Sequence, residues 1–167
     1  MREVVVSDTS PLQYLHQVGY LFLLPALFGR VLIPPAVASE IQVGIERGHD
    51  LPVLSQLPWM TMEAPRSIPV FPVALQIDPG EREALALALE HQCRLLVDDR
   101  DGRRAAEALG IVYTGTLGIL ISAQRAGLLP LVAPVFDRIV GHGYRISEQV
   151  RRGALELAGE SGDATAL

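Results

Sequence analysis

The chain contains no lysine: all 14 of its basic residues are arginine. That absence removes several classes of function. A P-loop needs a lysine against the nucleotide phosphates. Protein kinases, Schiff-base enzymes and Ser–Lys hydrolases need one as well. Arginine remains well suited to gripping phosphate with its planar fork. Cysteine is nearly absent too, and a single Cys93 excludes an intramolecular disulfide and a cysteine-rich zinc site. No apolar run approaches the roughly 18 residues a membrane span requires. No charged leader with an apolar signal stretch opens the sequence. These absences lead us to expect a cytoplasmic protein that does not engage a membrane. A net charge of −5 also argues against a basic nucleic-acid binder of the usual kind. The four histidines, His16, His49, His91 and His142, are scattered without metal-ligand spacing and read as surface or structural residues.

What is present suffices for one domain. The 167 residues are 49% hydrophobic, enough for a real core. We expect an ordered domain over 1–158 and a flexible C-terminal tail over 159–167, where small and polar residues collect. The proline-rich stretch from Pro52 to Pro72 is the one candidate for a loose internal segment.

Strand-like and helix-like segments alternate. Expected strands lie at 4–8, 30–33, 59–62, 94–97 and 111–113. They are short and apolar, without polar alternation, which suits a sheet covered on both faces. Ser10 fits the cap of a first helix, with Pro11 at its first position. The segment 20–28, broken by Pro25, reads as deeply packed short helix. Further helices are expected at 34–45, 78–91, 100–109, 116–126, 131–140 and 147–158. This order predicts an α/β fold with a mainly parallel central sheet.

Two of the strands share a design. Val4-Val5-Val6-Ser7-Asp8 and Leu95-Leu96-Val97-Asp98-Asp99 are apolar runs that end in acid. Right-handed crossovers bring such ends to one edge of the sheet, where open α/β sheets bind ligands. With Ser10 available as the helix cap, Asp8 is free for chemistry. Asp98 sits directly at its strand end and is the favoured ligand of its pair. Asp99 then caps the next helix or supports the site. Glu81 has two explanations. Asp78-Pro79-Gly80-Glu81 has capping-box spacing, and Glu81 also shares the buried face of its helix with Ala84, Leu85 and Ala88. Glu40 flanks the apolar stripe Val37–Ile41–Ile45 and completes a set of four.

Clustered carboxylates cannot all stay ionised without a counter-charge. A hard divalent cation supplies it, and oxygen ligands favour Mg²⁺ or Mn²⁺. Such an ion also grips phosphates and can activate water for phosphodiester hydrolysis. The candidate catalytic residues are therefore Asp8, Glu40, Glu81 and Asp98, with Asp99 added as a candidate metal ligand. Arg103 and Arg104, one turn further on, could hold phosphates. Thr114 and Thr116 are either supporting hydroxyls or helix caps.

With these positions in place, the chain resembles a PIN-domain ribonuclease, and more narrowly the PIN-like toxins of prokaryotic toxin–antitoxin pairs. The resemblance covers roughly Val4 to Glu160. It rests on V-S-D-T-S-P-L, I-P-P-A-V-A-S-E-I, D-P-G-E-R-E-A-L-A-L-A, L-L-V-D-D-R-D-G-R-R-A-A and T-G-T-L-G-I-L in that order, with G-Y-R-I-S-E resembling a subgroup. It implies a three-layer α/β/α sandwich and metal-dependent cleavage of RNA. The family's acids carry over as Asp8, Glu40, Glu81 and the Asp98-Asp99 pair. Ser10, Arg103, Thr114 and Thr116 fall at supporting or RNA-binding positions. Val97 stands where many members carry a hydroxyl. Implied partners are an RNA substrate, a cognate antitoxin and a second copy in a homodimer, with 20–28 and the C-terminal helices as candidate interfaces. Rival α/β readings fit less well. Haloacid-dehalogenase-type enzymes want an acid where Ser10 stands, receiver domains rely on a lysine, and no glycine-rich dinucleotide loop follows the first strand.

Overall fold

A computed structural model describes residues 3–160. Five strands form one parallel sheet: β1 (Val4–Ser7), β2 (Arg30–Ile33), β3 (Met60–Met62), β4 (Arg94–Leu96) and β5 (Tyr113–Thr114). Their spatial order is β3-β2-β1-β4-β5. The chain winds outward from β1 to β2 and β3, then returns to β1's other side for β4 and β5. The junction of β1 and β4 is thus the point where the winding reverses, and such a point opens a crevice at the strands' carboxyl ends. Register fixes what faces it: Val6 pairs with Leu95 and Ser7 with Leu96, so Asp8 and the Asp98 region emerge side by side.

The helices are α1 (Thr9–Gln17), α2 (Leu23–Leu27), α3 (Pro35–Glu46), α4 (Pro79–His91), α5 (Arg100–Ala108), α6 (Thr116–Arg125), α7 (Ala133–Gly141) and α8 (Glu148–Leu157). Alternate strand residues feed two separate cores. Val5, Val31, Ile33 and Leu96 join α1, α2, α3, α6 and α7 on one face. Val6, Leu32, Leu95 and Val97 join α4 and α5 on the other. This is the three-layer α/β/α sandwich, and the central strands β1, β2 and β4 are mostly apolar because both faces are covered there.

Two local expectations are corrected, and a third is met in part. The first helix begins at Thr9, with Asp8 rather than Ser10 at the cap position. The cause is the ladder. Asp8 donates its N–H to the Leu96 carbonyl at 3.0 Å, which carries the strand through Asp8, and the chain turns at once. The last strand starts at Tyr113, not at residue 111. Ile111 donates to the Ala106 carbonyl at 2.8 Å and so belongs to the turn that closes α5, where Gly110 takes φ +70°. The segment 20–28 sends Leu23, Leu24 and Phe28 into the core, while Phe22 stays half exposed.

The proline-rich stretch contains one 3₁₀ turn, Leu54–Gln56, and β3. Beyond β3 it runs without regular structure to α4. It is nonetheless tied down: Arg66 and Ser67 donate backbone N–H groups to Glu90. At the C-terminal end, the Glu160 carboxylate accepts the backbone N–H groups of Val132 and Ala133 at the start of α7. The first two residues of the expected tail are therefore docked, and 161–167 lie outside the described residues. Among the described residues, no helix is long and apolar enough to cross a membrane.

Candidate active site

Asp8 is only 5% exposed, and its Oδ1 has no hydrogen-bond partner. An orphaned buried carboxylate oxygen is costly and calls for an explanation. Burial, with the charges of Asp78, Glu40 and Asp98 adding to it, pushes the Asp8 pKa up to about 7. The backbone N–H of Thr9 offsets this only in part.

Glu40 reaches the same edge from α3. Its Oε2 accepts the Thr9 hydroxyl at 2.6 Å, and the nearby Gly80 backbone N–H favours the charged form. Burial, and then the charge of Asp78, raises its pKa. The fit against Gly80 is close: a Cβ there would lie 2.5 Å from Glu40 Oε1.

Both explanations of Glu81 hold at once. The capping box forms, with Glu81 N–H donating to Asp78 Oδ1 at 2.8 Å and Asp78 N–H donating to Glu81 Oε2 at 3.2 Å. The side chain is nevertheless 4% exposed, and its Oε1 faces Gly102, 3.2 Å from where a Cβ would stand. Burial, followed by the charges of Asp8, Asp78 and Asp99, lifts the Glu81 pKa to about 8.

The Asp98-Asp99 pair divides its work. Asp98 Oδ1 accepts the Thr116 N–H at 2.8 Å and the Tyr144 hydroxyl at 3.1 Å, and Oδ2 accepts the Thr116 hydroxyl at 2.6 Å. Arg103 adds a guanidinium nitrogen 3.7 Å from Oδ1. Asp99 caps α5, its Oδ2 accepting the N–H groups of Asp101 and Gly102. Asp98 is thus the acid of the pair whose charge reaches Asp8, and Asp99 is the cap whose charge reaches Glu81.

The donors are all carboxylates, and Asp8, Glu40 and Glu81 are each held toward the neutral form by burial and by neighbouring carboxylates. A divalent cation removes that repulsion and gives the orphaned Asp8 Oδ1 a partner, so the residues fit such an ion. Among the described residues, no three His, Cys, Asp or Glu side chains are drawn together closely enough to enclose a metal. Mg²⁺ does not need that enclosure. It keeps several waters and takes one or two carboxylates together with substrate phosphates.

Residues 4–160 match a family model described as a PIN domain. The chain belongs to the PIN-domain family. Its members are generally nucleases and generally use divalent metal ions. In three dimensions the chain is similar to a PilT N-terminus domain protein from the hyperthermophilic archaeon Sulfolobus solfataricus P2. The TM-score is 0.53 at 20% identity, over 72% of this chain and 92% of that one. At that identity the likeness speaks for the fold. No curated protein matches in sequence.

The remaining expected residues sort around this PIN-domain site. Ser10 does not cap α1. With Tyr14, Asp98, Asp99, Tyr144 and Arg145 it lines a cleft of about 180 Å³. Thr116 does not cap α6 either, since Gly115 holds the cap position. Its hydroxyl donates to Asp98 Oδ2. Thr114 lies in β5, where its carbonyl accepts the Val97 N–H at 2.9 Å. Arg103 turns inward, donating Nε–H to the Val97 carbonyl at 3.2 Å. Arg104 pairs with Asp101 at 3.8 Å and points outward. His16 and His91 pair with Asp50 and Glu63, away from the acids.

Four further residues contribute that sequence reasoning misses. Asp78 acts on Asp8, Glu40 and Glu81 through its charge, and its capping role masks this in the sequence. Thr9 orients Glu40. Gly80 makes room for it, and a glycine just before Glu81 is a visible signal. Tyr144 reaches Asp98 across 46 positions of sequence, which no local pattern announces.

Proposed function

We propose that this PIN domain is a metal-dependent endoribonuclease that hydrolyses RNA phosphodiester bonds and acts in the cytoplasm as the toxin of a toxin–antitoxin pair. The observation that carries the nuclease reading is Asp8: a buried carboxylate at the sheet's reversal point, one oxygen unbonded, among acids that help raise its pKa to about 7.

Asp8 would hold Mg²⁺ or Mn²⁺ together with one of Glu40, Glu81 and Asp98, the other acids acting on waters that stay on the ion, with Asp99 at the margin. When bound, the ion supplies positive charge against phosphate and lowers the pKa of water. The chain's own residues do the rest. Thr9 and Gly80 fix the orientation of Glu40, and Thr116 and Tyr144 fix that of Asp98, so little reorganisation is needed as charge develops. Arg103, half-buried beside Asp98, offers a guanidinium to phosphate.

The toxin reading rests on the ordered motif series. It adds a cognate antitoxin and a homodimer as partners. Purified protein should cleave single-stranded RNA in Mn²⁺ or Mg²⁺, stop in EDTA, and lose cleavage with Asp8→Asn. Cleavage by the variant at the wild-type rate would sink the reading. Expression should arrest growth, and co-expression of the neighbouring reading frame should relieve it. Growth unaffected by active protein would remove the toxin role alone.

A further inference from the structure

The cleft beside Ser10 adjoins a larger groove of about 720 Å³. Its walls are α5, β5 and α6 on one side and residues 144–157 on the other. Asp98, Tyr144 and Arg145 line both spaces, so the groove shares a wall with the cleft and borders the acid site at Asp98. The floor is apolar, made by Leu117, Ile121 and Ala154. The rim carries Arg100, Arg103 and Arg145 against one carboxylate, Asp98, which Thr116 and Tyr144 already engage. Among the described residues, Arg100 and Arg145 have no ion-pair partner. In a chain of net charge −5, this is a local reversal of sign. Tyr113 and Tyr144 line the same groove, and the Arg103 guanidinium lies 5.9 Å from the Tyr113 ring centre.

We propose that this groove holds one unpaired nucleotide of a single-stranded RNA whose neighbouring phosphate lies at the acid site, so that the groove selects single strands over duplex. The identity of the polymer rests on the nuclease reading above. The chemistry is complementary in each part. Guanidinium forks match phosphate oxygens. Aromatic and apolar surface takes the face of any base, which gives binding without strong sequence preference. The volume suits one small ligand. A base within a duplex is stacked and paired and reaches such a groove only at the cost of leaving its stack. An acidic peptide would satisfy the arginines but bring no rings to the tyrosines, so a polymer alternating phosphate with aromatic base is the better occupant.

Gly153 on α8 provides the test. It lines the groove, and a Cβ built on it meets nothing within 4 Å. Gly153→Phe therefore puts a ring into the groove without a backbone clash, and removing a helical glycine favours α8. Fluorescence anisotropy with a labelled single-stranded RNA in EDTA keeps binding separate from turnover. We expect Gly153→Phe and Arg145→Ala each to weaken binding about tenfold or more, with melting temperature held. Arg145→Ala should also reduce the salt slope by about one. The wild type should bind the matching duplex more weakly than the single strand. Wild-type affinity in both variants would overturn the proposal and leave the groove to a protein segment, and equal affinity for duplex would overturn the strand selection. Mn²⁺-dependent cleavage with binding insensitive to Gly153→Phe would refute the groove and spare the nuclease. Sensitive binding without any cleavage would do the reverse.

Discussion

The carboxylate of Glu40 occupies the space that a side chain on Gly80 would need. A Cβ on Gly80 would stand 2.5 Å from Glu40 Oε1 and 3.0 Å from Oε2. Gly80→Ala must therefore displace the end of a flexible side chain and little else. Alanine is otherwise the better residue in a helix. We expect Gly80→Ala to hold its melting temperature within a few degrees while metal-dependent cleavage falls about tenfold or more, because misplacing a positioned group by an ångström is that costly. Unchanged cleavage would mean that Glu40 has no positional role.

Glu81 uses Oε2 for the cap and leaves Oε1 facing Gly102, and substitution separates the cap from the proposed metal role. Glutamine keeps a capping box and removes the charge. Glu81→Gln should leave stability in EDTA unchanged or raised, yet weaken Mn²⁺ binding measured by calorimetry. Asp78→Ala removes the cap's acceptor and should cost about 1 kcal/mol in urea unfolding. If Glu81→Gln bound Mn²⁺ like the wild type, Glu81 would be a cap alone.

Folding raises the pKa of Asp8 to about 7 and of Glu81 to about 8, from ordinary values of 3.8 and 4.5. The folded protein therefore binds more protons than the unfolded chain between roughly pH 4 and pH 8, and its stability falls as pH rises through that window. A tenfold change in proton affinity corresponds to about 1.4 kcal/mol. With screening by solvent at the open edge of the site, the loss in EDTA is on the order of a few kcal/mol, shared by two groups that feel each other. Thermal melts in EDTA should show a lower melting temperature at pH 8 than at pH 5. Saturating Mg²⁺ or Mn²⁺ should restore most of the difference at pH 8, since ligand binding to the folded state stabilises it. A flat profile in EDTA would show that neither burial nor mutual repulsion holds these acids toward the neutral form.

Thr116 is fully buried and bonds Asp98 through both its backbone and its hydroxyl. Removing the hydroxyl leaves a carboxylate oxygen short of a donor. Thr116→Val should destabilise the protein by about 1–3 kcal/mol. Tyr144→Phe should cost less, because the Tyr144 ring stays packed edge-on to Tyr14 and Phe136. The two hydroxyls share one carboxylate, so the double variant should depart from additivity. Strict additivity in denaturant titrations would argue that the two donors act independently.

The parallel sheet and most helices are legible in the sequence because apolar runs and acid-ended strands carry their own period and punctuation. Asp8, Glu40, Glu81 and Asp98 are legible as candidates for the same reason, since each lies at a strand end or along a helix stripe, and the fold brings Asp8 within reach of the charges of Glu40 and Asp98. What is not legible depends on register and distance. The helix start at Thr9 follows from a ladder bond between Asp8 and Leu96, a partner far along the chain. The turn at Ile111 follows from how α5 closes. Tyr144 and Arg145 join the site only because the segment after α7 returns across α6, and no local spacing encodes that return. Asp78 is visible as a cap, but its electrostatic action on three neighbours emerges only once the fold sets the distances.

A divalent cation at the orphaned oxygen of Asp8 is the central claim. Crystals of the protein soaked in Mn²⁺, with anomalous data collected, test it directly. The expected result is an anomalous peak about 2.1 Å from Asp8 Oδ1, with Glu40, Glu81 or Asp98 among its neighbours, and no such peak in Asp8→Asn. A clear peak elsewhere, or none in a protein that cleaves RNA with Mn²⁺, would contradict it.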